Sequence, residues 1–239
     1  MSPIGIIGAM DSEVANLIDR MTDITIEEYA GRRFAKGLLA AYPVVVVQSG
    51  IGKVAAAITA QMLVDRYEVS ALLNTGMAGG LDARLAVKDL VVGTAALQHD
   101  FDLTAFGHVR GFITGADDTK PTLFTADTAL VEAAMEVVKD VLPADSKAIT
   151  GTIASGDVFV DDSTLKATLR DDFGAAAAEM EGAAIAQTAV ANGIPFVILR
   201  TISDLAEHQA NVSFDELERY VGQLAGDMTV ALLKKLATT

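Results

Sequence analysis

Short apolar runs alternate with amphipathic stretches along the whole chain. The first run, Ile4-Gly5-Ile6-Ile7-Gly8-Ala9, has no polar member, which predicts a strand buried on both faces. Asp11 and Glu13 follow, opening an amphipathic stretch to about Met21. Acids in a first helical turn complement the helix dipole, so a helix is expected there. Residues 34–39 and 44–47 predict strands. Ser49-Gly50-Ile51-Gly52-Lys53 leads into a helix through Ala55, Ile58, Met62 and Leu63. A further buried strand is expected at 72–75, ending in Gly76-Met77-Ala78-Gly79-Gly80, and a longer one at 90–97. Residues 104–121, punctuated by Gly107, Gly111, Gly115 and Pro121, predict a loop. Beyond it the pattern predicts a helix at 127–142, a strand at 148–154, a helix at 162–171 and a strand at 176–180. A helix at 181–192 is closed by Gly193, with Pro195 just past it. After a strand at 196–202, Ser213 and Glu216 have the spacing of a capping box and start the last helix.

Strands that alternate with helices imply an α/β fold with helices on both faces of a central sheet. Strands come in succession around 30–50 and 88–103, so the sheet is expected to be mixed. No Pro- or Ser/Gly-rich linker and no repeat interrupts the 239 residues, and one domain over 1–239 is the simplest division. In open α/β sheets ligands bind beyond the carboxyl ends of the strands. That directs attention to 9–13, 49–53, 76–80, 155–160, 179–181 and 200–204.

Composition narrows the chemistry. Hydrophobic residues make up 51% of the chain, ample for a core. Eighteen basic against 32 acidic residues give a net charge of −14. Such a surface repels phosphate backbones and anionic lipid, so neither nucleic acid nor membrane is an expected partner. No apolar run reaches the roughly 18 residues of a membrane helix, and the first basic residue is Arg20, unlike a signal peptide. Zero Cys removes disulfides, thiolate metal sites and cysteine nucleophiles. A soluble, cytoplasmic protein is expected.

Several phosphate and nucleophile motifs fail. Gly52-Lys53 is followed by Val54, and position 47 is Val, so there is no Walker A loop. No Gly-x-Gly-x-x-Gly follows the first strand, and no Gly-x-Ser-x-Gly elbow occurs. His99, His108 and His208 are scattered, and no metal is expected. Carboxylates remain. Glu179 and Glu181 stand at i and i+2, on the same side if the segment is extended. Arg200 and Asp204 flank the end of the 196–202 strand, and Glu13 sits in the first turn after the first one. Singly, each acid is equally well read as a dipole partner, a turn residue or part of a first helical turn.

Their combination carries more. Ile4-Gly-Ile-Ile-Gly-Ala-Met10-x-x-Glu13, Ser49-Gly-Ile-Gly-Lys-Val-Ala-Ala-Ala57, Asn74-Thr-Gly-x-Ala-Gly-Gly80, Thr104-Ala-Phe-Gly107, Ser155-Gly-Asp-x-Phe159, Glu179-Met-Glu181 and Arg200-x-Ile-Ser-Asp204 occur in this order. The chain thereby resembles the 5′-methylthioadenosine/S-adenosylhomocysteine nucleosidases, within the wider purine nucleoside phosphorylase family, over essentially its full length. The resemblance implies a single-domain, three-layer α/β/α fold of nucleoside phosphorylase type, a homodimer and no cofactor. It implies irreversible hydrolysis of the adenine–ribose bond of 5′-methylthioadenosine and S-adenosylhomocysteine, and of 5′-deoxyadenosine too. By the same resemblance Glu13 activates water and Asp204, with Ser203 beside it, protonates adenine at N7. Glu181 holds the ribose hydroxyls and Arg200 positions that network. Phe159 stacks on the base and the Val160 backbone reads its edge. Ala9, Ile51, Met77, Glu179, Met180 and Phe214 line the ribose and 5′ side. Leu103 and Phe106 are expected over the neighbouring subunit's 5′ pocket. Met77 departs from the Ser of many relatives, and His108 and the loop 111–115 also differ, which bears on the 5′ substituent. A phosphate-dependent phosphorylase, an aminodeoxyfutalosine hydrolase and a non-catalytic nucleoside sensor are the competing readings. Retention of Glu13, Glu181 and Asp204 together argues against the sensor.

Overall fold

In a computed structural model, which describes residues 1–115, 117–205 and 214–238, ten strands form one mixed sheet. The elements are β1 (Ile4–Gly8), α1 (Asp11–Asp19), β2 (Thr22–Tyr29), β3 (Arg32–Leu39), β4 (Tyr42–Gln48), α2 (Lys53–Tyr67), β5 (Ala71–Gly80) and β6 (Leu90–Gln98). A 3-10 turn at Thr104–Phe106 precedes β7 (Phe124–Thr125), α3 (Thr128–Val141), β8 (Ala148–Ser155), α4 (Ser163–Asp171), β9 (Ala175–Glu179), α5 (Gly182–Asn192), β10 (Phe196–Leu205) and α6 (Phe214–Leu236). No helix among the described residues is long and apolar enough to cross a membrane.

The sheet runs β10-β6-β8-β9-β5-β1-β4-β3-β2, and β10 also pairs with β5. Half of it therefore curls into a closed ring of β5, β10, β6, β8 and β9, while β1, β4, β3 and β2 extend as an open wing. β1 is buried along its whole length, as its unbroken apolar sequence requires. Its two faces meet different helices. The backbone at Gly5 packs against Leu63 of α2, and that at Gly8 against Val14 of α1. α1 and α3 pack on α6, and α2 packs on α5, so helices flank both faces. The main core joins both groups through Ile6, Ile7, Leu17, Leu63, Leu72 and Phe196.

Four elements differ from the pattern-based expectation, one of them the two-residue β7, which owes its form to pairing with β6. β2 has no apolar alternation and is almost wholly exposed; as the terminal strand of the open wing, it is held by pairing with β3 rather than by burial. β5 does not stop at Thr75 but continues through the glycine run to Gly80, because β10 pairs with it from Leu72 to Gly80. β10 likewise continues to Leu205, past a register shift between Ile202 and Asp204. Ser213, half of the expected capping box, lies outside the described residues.

One detail of the sheet creates the site. On one edge of β5, residues 71–74 pair with β1 and residues 79–80 pair with β9. Between them, at 75–78, that edge has no strand partner. Backbone groups freed inside a sheet must find other partners, and here they find charged side chains.

Candidate active site

The cavity opens at this split. It encloses about 230 Å³. Its wall comes from the ends of β1, β5, β9 and β10, with the loops after β4 and β8. Ala9, Met10 and Glu13 enter from the β1–α1 junction, Met77 to Gly79 from β5, Phe159 and Val160 from the loop after β8, Glu179 to Glu181 from the β9–α5 junction, and Ser203 and Asp204 from β10.

Glu13 is the N3 residue of α1 and turns back over the helix start. Its Oε2 accepts from the N–H groups of Ala9 (2.6 Å) and Met10 (3.0 Å). Its Oε1 accepts from the N–H of Met77 at 3.0 Å, one of the groups freed by the sheet split. Three N–H donors thus fix a buried carboxylate at the cavity wall. Gly76 is obligatory here, because a Cβ would lie 2.3 Å from both Glu13 Oε1 and Arg200 Nη1.

Arg200, on β10, is 1% exposed and does not line the cavity. Its guanidinium donates to Asn74 Oδ1 at 2.7 Å and to Glu179, and lies 3.5 Å from Glu181 Oε2. Arg200, expected to position the ribose-binding network, thus sits behind the wall and holds Glu179 and Glu181 from there. Glu179 lines the cavity, where it was expected. Its carboxylate accepts from Arg200, from the Ser155 hydroxyl and from the N–H groups of Glu181 and Gly182. Both of its oxygens are engaged, so from the cavity wall it anchors Arg200 and the start of α5.

Glu179 and Glu181 do not share an extended segment. The strand ends at Glu179, and Glu181 is the N-cap of α5. The carboxylates converge nonetheless, because both reach Arg200. Glu181 Oε1 accepts from the N–H of Gly52 at 2.9 Å. Gly52 has φ of +98°, a left-handed backbone that favours glycine and that turns this N–H inward. Burial first, and then the Glu179 carboxylate, push the Glu181 carboxyl up to about 7 against the pull of Arg200.

Asp204 lies on β10. Ser203 Oγ donates to its Oδ1 at 2.8 Å. Lys166 Nζ, on α4, lies 3.8 Å from its Oδ2. Sequence pattern did not single out Lys166. Its signal was its place three residues before Leu169, on the helix face that turns inward. Ile51, Phe159, Val160, Met180, Met77 and Ala9 line the cavity as expected. Leu103 and Phe106 do not line the cavity of their own chain, and Phe106 is 79% exposed. Phe214 opens α6, but its side chain lies outside the described residues.

The arrangement presents three carboxylates on one cavity wall, Glu13 and Glu181 close enough to feel each other's charge, and Asp204 on β10. Several carboxylates with different partners suit cleavage of a bond that leaves positive charge on one fragment and negative charge on the other.

Known proteins resemble the chain over nearly its whole length. The family model described as the phosphorylase superfamily matches residues 3–238. The 5′-methylthioadenosine/S-adenosylhomocysteine nucleosidase of Shewanella sediminis is 42% identical over 234 residues, covering 98% of this chain and 99% of its own. A crystal structure of the nucleosidase of that name from Colwellia psychrerythraea, in complex with adenine, superposes with a TM-score of 0.86. It is 41% identical, covering 98% of this chain and 96% of its own. The futalosine hydrolase of Helicobacter pylori superposes with a TM-score of 0.87 at 33% identity, covering 98% of this chain and 97% of its own.

Proposed function

The chain belongs to the phosphorylase superfamily, and from that premise we infer that it hydrolyses the N-glycosidic bond of 5′-methylthioadenosine and S-adenosylhomocysteine, releasing adenine and the 5-thioribose product. The same chemistry extends to 5′-deoxyadenosine, whose 5′ group is smaller. The chain acts as one nucleosidase domain, in the cytoplasm, in methionine salvage and S-adenosylmethionine recycling.

One observation carries the choice of hydrolysis over phosphorolysis. The carboxylate of Glu13 lies at the cavity wall beside the ribose end, and the nearest guanidinium, Arg200, is committed to Asn74 and Glu179. A phosphate dianion would meet an anion there with no cation to receive it. Water has no such barrier.

Glu13 takes a proton from water, whose oxygen bonds to C1′ as the C1′–N9 bond breaks. Asp204 gives its proton to N7, so adenine leaves neutral. Positive charge gathers on the ribose ring, and the carboxylates of Glu13 and Glu181 stabilise it. Glu181 accepts from the ribose hydroxyls, held in place by Gly52 and Arg200. Phe159 covers the base. General acid catalysis of this type contributes typically about 10²–10⁴ in rate.

A second copy of the chain completes the pocket. Leu103 and Phe106 are apolar and absent from their own cavity, and they fit the apolar 5′ group of the neighbour's substrate.

The test is to incubate the protein with 5′-methylthioadenosine with and without phosphate and to identify the sugar. Adenine and free 5-methylthioribose at equal rates in both arms are expected. Adenine release that needs phosphate and yields a ribose 1-phosphate sinks the reading.

A further inference from the structure

Two strands that end side by side leave a histidine against a glycine. β6 and β8 are parallel and finish in register, with Gln98 opposite Ser155. The next residues are His99 and Gly156. The N–H of His99 donates to the Ser155 carbonyl at 3.0 Å, and that of Gly156 to the Glu179 carbonyl at 3.1 Å. His99 is 3% exposed and does not line the cavity, and its Nε2 has no hydrogen-bond partner among the described residues. Burial holds the imidazole below its ordinary pKa, and the charges around it, Asp100 and Glu179 against Lys53 and Arg110, do not reverse this. The ring is therefore neutral. A buried nitrogen left unpaired lowers stability, so hydrogen bonding does not account for a histidine here. Shape does. The Nε2–Cε1 edge occupies the space where a side chain at position 156 would begin, and a Cβ there would overlap both atoms. The φ of Gly156 lies outside the left-handed region, so the ring, and not the turn, calls for glycine. Gly156 opens the stretch whose Val158, Phe159 and Val160 line the cavity. The polar ties of that stretch to Lys53 and Asp100 are both made by Asp157. The ring adds a steric stop one residue earlier.

We propose that His99 is a positioning residue: its ring, seated against Gly156, sets the angle at which the loop leaves β8 and so places Phe159 and Val160 against the base. That the base lies on this loop rests on the function proposed above.

The test is an exchange of size across the contact. Gly156→Ala adds the Cβ, His99→Ala removes the ring, and the double variant does both. Each is measured for kcat and KM on 5′-methylthioadenosine and for the Kd of adenine by calorimetry. Either single variant should raise KM and the adenine Kd on the order of 10-fold, a modest part of what an ångström of misplacement can cost, with kcat changed by less than about 3-fold. The double variant should be no worse than either single one, where independent effects would multiply to about 100-fold. His99→Gln, whose planar amide extends toward the Nε2 position, should keep both constants within about 3-fold of the wild type. Effects that multiply overturn the proposal, as does Gly156→Ala with KM and Kd unchanged or with a fall in kcat alone. If Gly156→Ala does not fold, the two His99 variants decide: KM and Kd raised in His99→Ala but kept in His99→Gln support the steric role, and equal values in both overturn it. Wild type that binds adenine without cleaving 5′-methylthioadenosine refutes the hydrolase reading and leaves the adenine arm to judge His99. Wild type that does not bind adenine overturns both.

Discussion

Glu181 holds its proton to about pH 7 because burial and Glu179 outweigh the attraction of Arg200. Two consequences follow, with opposite signs. For binding, only the carboxylate form accepts from both ribose hydroxyls. Thus kcat/KM on 5′-methylthioadenosine should rise roughly tenfold per pH unit below about 7 and level off above it. For stability, the folded carboxyl has a higher pKa than the unfolded one. Between the ordinary value of 4.5 and about 7 the folded state binds the extra proton. The contribution of Glu181 to stability is therefore complete below 4.5 and is lost as pH rises through 7. Glu181→Gln should flatten this limb of the kcat/KM profile and reduce the fall in Tm across the same window. A profile in the variant that keeps its slope near pH 7 assigns the ionisation to another group. Glu13, Glu181 and Asp204 were legible in the sequence as acids after strands, and the resemblance supplied their roles. The partners of Arg200 and Glu179 were not, because tertiary hydrogen bonding and burial set them and neither leaves a local pattern. Lys166 was hidden for the same reason: a lysine on an amphipathic helix reads as solvated until its neighbours are known.

Among elements, the strands buried on both faces were the most readable. β1 and β4 announce themselves as apolar runs, and α5 by its closing glycine. β2 was missed because a polar edge strand owes its form to its neighbour. The glycine run 76–80 suggested a turn, yet pairing with β10 keeps it extended. The loop between β8 and α4 shows what connects an element to function. Asp157 Oδ1 accepts from the N–H of Lys53, the first residue of α2, at 2.8 Å. Its own N–H donates to Asp100 Oδ2 at 2.9 Å, and Asp100 pairs with Lys53 Nζ at 2.6 Å. This latch ties the loop that carries Phe159 to the helix that follows Ile51. Asp157→Ala removes an acceptor at a helix start, a loss of about 1 kcal/mol in stability. It also frees the ring that covers the base. KM for 5′-methylthioadenosine should rise about 10-fold, with kcat changed by less than about 3-fold, since the reacting acids sit on other elements. Steady-state kinetics with a Tm measurement checks this. A fall in kcat at constant KM assigns the loop to the chemical step instead.

At the scale of the whole molecule the question is what covers the cavity mouth. The chain carries a net charge of −14, yet large apolar side chains stand exposed. Ile51 (60%), Val54 (69%) and Ile58 follow one another at helical spacing from the cavity rim onto α2, and Val158 and Phe159 (72%) project from the loop latched to it. Phe106 projects elsewhere on the surface and serves no cavity of its own. Exposed apolar surface on a protein this acidic is what the proposed interface between two copies would use. A symmetric pair would use each patch twice, with Phe106 of one copy over the rim of the other. If so, a site needs Asp204 from one copy and Phe106 from its partner. Asp204→Asn cannot deliver a proton, and Phe106→Asp places a charge in an apolar wall, so homodimers of either variant should be inactive. Co-expression of the two yields mixed dimers in which one site has both defects and the other has neither. Activity on 5′-methylthioadenosine should then return toward one quarter of wild type, since half the dimers are mixed and each has one sound site. Mixed dimers confirmed by differential tagging, but no more active than the parents, would show that each chain closes its own pocket.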